Sequence, residues 1–166
     1  MLGRGEAAPA STGRAARWLA LLVPAGLLAG AYISQYHFGL YPCEMCWWQR
    51  YPHFAALPLA LLGLARPNLR WATLLAALAI GISGLIGGFH AGVEYGWWEG
   101  LTACSTTAER APGVSALDAI MSAPIVRCDV APWTLLGISL AGFNFLISGG
   151  AALAILHLLR RSGRNG

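Results

Sequence analysis

The chain has 166 residues, of which 57% are hydrophobic and 11% charged, with a formal net charge of +4. Soluble domains carry about 25% charged residues, so this chain has too few to cover a water-facing surface, and its apolar content excludes disorder. Collagen, coiled-coil and disulfide-stapled miniprotein compositions do not fit either, which leaves an all-α membrane protein forming a single membrane domain over 1–166.

In chain order, the charges leave uncharged windows at 18–43, 51–65, 71–93 and 130–159. A span needs about 20 apolar residues, so the windows predict a four-transmembrane-helix bundle with helices near 17–35, 46–65, 71–90 and 132–158. Residues 1–16 and 160–166 are left as flexible tails. Arg14, Arg17 and the apolar run after them also resemble a secretory signal, with Ala29-Gly30-Ala31 as a cleavage site. The uncharged stretch runs well past Ala31, which suits a retained helix better. The second window has only 15 residues and reaches about 22 Å at about 1.5 Å per residue, short of a ~30 Å core. Helix 2 must therefore start near Cys46, which places Arg50 one turn inside it. Residues 36–45 form a short outer loop and 91–131 a long one. Within the long loop, Val114, Leu117, Ile120 and Met121 recur at helical spacing. They predict a short helix on the membrane surface or a lid packed on the bundle.

All 11 basic residues are arginine. Threading four helices puts Arg4, Arg14, Arg17, Arg66, Arg70, Arg160, Arg161 and Arg164 on one side and only Arg50, Arg110 and Arg127 on the other. The positive-inside rule makes the first side cytoplasmic, with both termini there. The positive charge is then a topology signal, and no nucleic-acid partner is expected. Trp18, Trp71, Trp47, Trp48, Trp133, Trp97 and Trp98 fall near helix ends, as an interfacial aromatic belt in a lipid bilayer would place them.

Cys43, Cys46, Cys104 and Cys128 all fall in or beside the two outer loops. An even number on the oxidising side of a membrane implies disulfides. Cys43-Glu44-Met45-Cys46 has redox spacing, and a helix starting near Cys46 would stabilise a thiolate there. Arg50 adds positive charge one turn later. An arginine within a span is a functional candidate, although it could also snorkel to the surface. His53 and His37 are open between a role and none. His90 and Glu94 share a face at the outer end of helix 3, either for proton uptake or as an interfacial pair. Asn144 suits an interhelical hydrogen bond. Haem attachment would need His after the second Cys, where Trp47 stands. A zinc site using Cys104, Cys128 and His90 remains a rival.

The CEMCWWQR run, the later cysteine pair and Trp133 with Leu136-Gly137 resemble the disulfide bond formation protein B (DsbB) family over roughly 17–160. The resemblance implies catalytic Cys43, Cys46, Cys104 and Cys128 in a bacterial inner-membrane protein with periplasmic cysteine loops. A DsbA-like periplasmic thiol oxidase would attack the Cys104–Cys128 disulfide, most directly at Cys104. Cys43–Cys46 would reoxidise that pair and pass electrons from Cys46 to a membrane quinone, ubiquinone or menaquinone, held beside Arg50 and His90. Two other readings stay open: a vitamin K epoxide reductase-like quinone-linked thiol oxidase, whose active CxxC comes late in the chain, and a non-enzymatic metal-binding or disulfide-stabilised membrane protein.

Overall fold

The structure is a computed structural model that describes residues 8–102, 105–106, 115, 117 and 125–164. Four helices form the body: α1 Ala8–Tyr36, α2 Glu44–Ala65, α3 Arg70–Glu94 and α4 Leu140–Arg164. Two short antiparallel hairpins lie between α3 and α4. Strand β1 Ser105–Thr106 pairs with β2 Ile125–Val126, and β3 Thr134–Leu135 pairs with β4 Ile138–Ser139. The helices pack as a ring in which α1 and α3 each touch α2 and α4. Segments Ser11–Tyr36, Arg70–Glu94 and Leu140–Gly163 are long and apolar enough to cross a membrane.

The boundaries correct the sequence reading at two places. The first helix begins at Ala8, not near residue 17, because the alanine-rich stretch before Arg17 favours helix and its arginines do not oppose it. The last helix begins at Leu140, not near 132. Leu136 (φ 53°) and Gly137 (φ 79°) both take the left-handed conformation, as a two-residue hairpin turn requires. Residues 134–139 are therefore a hairpin inside an uncharged window. The Tyr95 hydroxyl, just past α3, donates to Gly137 O and accepts from Ser139 N, both at 3.0 Å, and so ties the hairpin to α3. The surface helix expected around 114–121 lies almost wholly outside the described residues.

The packing is inverted relative to a soluble protein. The central cluster is built largely from alanine: Ala16, Ala20, Ala56, Ala60, Ala76 and Ala77 are fully buried with Ile80 and Ile155. Leu22, Leu61, Leu78, Leu85, Leu146 and Leu153 face outward. Small residues let helices approach closely where lipid already solvates large apolar side chains. Gly87 marks a close approach beside the site: a Cβ there would meet Ala141 O at 2.9 Å, Asn144 Nδ2 at 3.0 Å and Gln49 Oε1 at 3.1 Å. Gly150 has open space around it. Gly87→Ala should therefore lower the thermal unfolding midpoint of the detergent-solubilised protein, by an overpacking cost of about 1–3 kcal/mol. Gly150→Ala should leave it unchanged or raise it.

Candidate redox site

Helix α2 starts at a cysteine. Cys43 is its N-cap, and the Cys43 sulfur accepts a hydrogen bond from the Cys46 backbone N–H at 3.3 Å. The helix thus begins two residues before the expected Cys46, and both sulfurs sit at its electropositive end. They lie 2.9 Å apart as thiols, beyond the roughly 2.05 Å of a disulfide. Among the described residues, Cys43, Cys46 and Cys128 are free thiols. Cys104 lies outside the described residues. Its neighbour Ser105 pairs with Val126, two residues before Cys128.

Cys128 packs into a buried cluster with Cys43, Met45 and Val93, and its sulfur accepts from Thr102 Oγ1 at 3.1 Å. The long loop therefore delivers one of its cysteines directly onto the CxxC. The hydrogen bond to the Cys46 sulfur, reinforced by burial, pushes the Cys43 thiol up to about 12. Burial pushes the Cys128 thiol up as well. Of the two thiols, Cys43 is thus the one that holds its proton tightly.

Cys46, Gln49, Arg50 and His53 occupy one face of α2, at i, i+3, i+4 and i+7. That face borders a cavity of about 250 Å³, also lined by Leu27, Ala31, His90, Glu94, Phe143 and Asn144. Arg50 is only 7% exposed. It is buried in the bundle and does not snorkel to the surface. Its guanidinium donates to Gln35 Oε1 at 2.7 Å and Ala31 O at 3.4 Å, and lies over Tyr32 and Trp47 at 5.1 and 4.9 Å from the ring centroids. A hydrogen bond from a charged donor contributes about 1.5–3 kcal/mol and each cation–π contact about 0.5–1 kcal/mol. Together they offset the roughly 2.5–3.5 kcal/mol that insertion scales assign to an arginine in mid-span.

A network that the sequence reading missed lies behind this face. Gln49 Nε2 donates to Met45 O at 3.1 Å and to His90 Nδ1 at 2.9 Å, while Gln49 Oε1 accepts from Asn144 Nδ2 at 2.9 Å. His90 Nδ1 is therefore the acceptor and His90 Nε2 carries the proton, 3.6 Å from the Cys43 sulfur and 3.8 Å from Glu94 Oε1. Asn144 acts as the expected interhelical residue. Ser83 and Ser148, which joined no motif, complete the network around His53. Their only sequence signal is a polar residue within small-residue runs, GISG and LISGG. Cys43, Cys46 and His90 offer three ligand atoms within 4.8 Å, one fewer than the four of a structural zinc site. Cys128, which the rival zinc reading needed, is not in that group.

A family model for disulfide bond formation protein DsbB matches residues 13–158, most of the chain. The chain belongs to the DsbB family. It is therefore a multi-pass membrane protein of disulfide bond formation with disulfide oxidoreductase activity, as its three strongly apolar helices and clustered cysteines fit. This DsbB-family chain is similar to the uncharacterized protein RP370 of Rickettsia prowazekii (strain Madrid E), 29% identical over 125 residues that cover 73% of each chain. No solved structure matches it. The family match sets aside the non-enzymatic and vitamin K epoxide reductase-like readings.

The asymmetry of the thiol pair has a direct check. Alkylation of the reduced protein at pH 8, mapped by mass spectrometry, should modify Cys46 and spare Cys43. In Cys46→Ala the hydrogen bond that raises Cys43 is gone, so its alkylation profile should move to lower pH.

Proposed function

We propose that this protein reoxidises a DsbA-like periplasmic thiol oxidase and passes two electrons through its four cysteines to a membrane quinone, ubiquinone or menaquinone. The observation that carries the reading is the placement of Cys43 between Cys128 on one side and Cys46, with its cavity, on the other.

The exchange steps balance as follows. A partner thiolate attacks Cys104 of a Cys104–Cys128 disulfide, and Cys128 leaves as thiolate. The partner's second thiolate then displaces Cys104 and takes the disulfide away. Cys128 attacks Cys43 of a Cys43–Cys46 disulfide, and Cys46 leaves as thiolate at the helix N-terminus. Cys104 attacks Cys128 and restores the loop disulfide, and Cys43 leaves and takes up a proton. What remains is the Cys43–Cys46 dithiol, with Cys46 carrying the charge.

The cavity fits a quinone headgroup. It is mostly apolar, carries the Arg50 cation, and is bordered by His53 and Glu94. These two hold the buried side-chain atoms, among the described residues, that have no partner: His53 Nδ1 and Glu94 Oε2. Bound quinone supplies the two-electron acceptor. Arg50 would orient the ring and favour added negative charge, Cys46 would border it as the electron-donating sulfur, and His90 with Glu94 would hold a proton beside Cys43. Helix α2, 22 residues long, reaches about 33 Å at about 1.5 Å per residue and serves as the fourth span. The arginine distribution then puts both termini in the cytoplasm of a bacterial inner membrane and the cysteine loops in the periplasm.

Replacing Cys104 by Ser should abolish oxidation of a reduced DsbA-like protein, while quinone reduction driven by a small dithiol continues. If the small-dithiol reaction is lost as well, the order of the relay is wrong. Arg50→Lys should raise KM for quinone and keep part of kcat, because charge survives without the planar fork. Arg50→Met should lower both further while membrane insertion stays normal. Reporter fusions at residue 68 should register as cytoplasmic and at residue 110 as periplasmic.

A further inference from the structure

His53 is 3% exposed and borders the same cavity as Cys46 and Arg50. One edge of its ring is committed to the network. Asn144 Nδ2 donates to Gln49 Oε1 and Ser83 O, so Asn144 Oδ1 is the acceptor; it takes the Ser148 hydroxyl at 2.7 Å and His53 Nε2–H at 3.1 Å. The His53 proton is thereby placed on Nε2. Nδ1 is left as a bare lone pair, buried and without a partner among the described residues. An orphaned acceptor of this kind costs about as much as a lost hydrogen bond, and a cavity occupant that offers a donor removes the cost.

We infer that His53 is the hydrogen-bond acceptor for a ring hydroxyl of the reduced quinone, so that the cavity prefers hydroquinone over quinone. This rests on the quinone reading of the cavity. Arg50 and His53 are three apart on α2, with Cβ atoms about 5–6 Å apart on one helix face, a spacing that suits two oxygens of a single ring. The arginine fork donates, so it serves a carbonyl or an anionic oxygen. The His53 lone pair only accepts, so it serves a hydroxyl and repels a carbonyl. The pair therefore distinguishes the oxidation states of the ring, and the distinction comes from His53. The other titratable or charged groups bordering the cavity are Tyr41, Cys46 and Arg50 from α2 and the segment before it, and His90 and Glu94 from α3. Among the described residues, α1 and α4 add none.

Two substitutions separate this role from a structural one. Gln places its amide where Nε2 lies, which keeps the donor to Asn144 and removes the lone pair. Asn places its carbonyl near Nδ1, which keeps an acceptor and loses the network bond. The measurement is anaerobic titration of tryptophan fluorescence in detergent, using a short-chain ubiquinone analogue and its hydroquinone. It is made on the full chain carrying Cys46→Ser so that neither ring form turns over. The parent should bind the hydroquinone more tightly than the quinone. His53→Gln should lose about tenfold in that preference, which is about 30 mV for a two-electron couple, with its unfolding midpoint kept. His53→Asn should keep the preference and lose stability. If His53→Gln keeps the preference while the parent binds both ring forms, the inference fails and the quinone reading stands. If the parent binds neither form, the quinone reading itself fails.

Discussion

The Gln49 side-chain amide is the interaction on which the rest of the site depends. A bundle in an apolar surround cannot leave a polar group to water, so each buried donor must meet an acceptor inside the protein. Gln49 meets this constraint with both ends of one amide, linking the backbone of its own helix, His90 on α3 and Asn144 on α4. Once the amide is set, no freedom remains downstream. His90 must present its N–H toward Cys43, Asn144 must turn its oxygen to His53, and His53 must leave Nδ1 bare. The protonation pattern around the cysteines and the polarity of the cavity wall thus have one origin, in a side chain that touches neither sulfur.

This bears on why glutamine stands next to Arg50. A carboxylate there could not donate to His90, and the tautomer of the imidazole beside Cys43 would reverse. The arginine, meanwhile, takes its contacts from Gln35, Ala31 and the Tyr32 ring on α1, and from the Trp47 ring on its own helix. The two neighbours on α2 therefore belong to separate supports. One fixes hydrogen positions at the thiols, and the other fixes a charge at the cavity.

Much of this architecture is legible in the sequence. Gaps between arginines locate the helices, and the confinement of all four cysteines to two segments marks the redox site before any coordinate is known. What stays hidden has physical causes. A hydropathy window cannot see the hairpin at 134–139, because Thr134 to Ser139 carry no charge and the turn depends on backbone angles at Leu136 and Gly137. Nor can it see the polar network, since Ser83, Ser148 and Asn144 are mild interruptions in apolar runs whose meeting depends on helix rotation. Arg50 is legible as a residue that needs a partner; that its hydrogen-bond partners are neutral follows only from the packing of α1 against α2.

The Cys43 sulfur is both the cap of helix α2 and an atom that changes its bonding in thiol–disulfide exchange. A sulfur drawn into a disulfide is a weaker acceptor than a thiol sulfur whose proton is donated to its neighbour, so the hold on the Cys46 amide changes with the electron count of the pair. The geometry of the first turn of α2 is therefore tied to the oxidation state of the pair it carries.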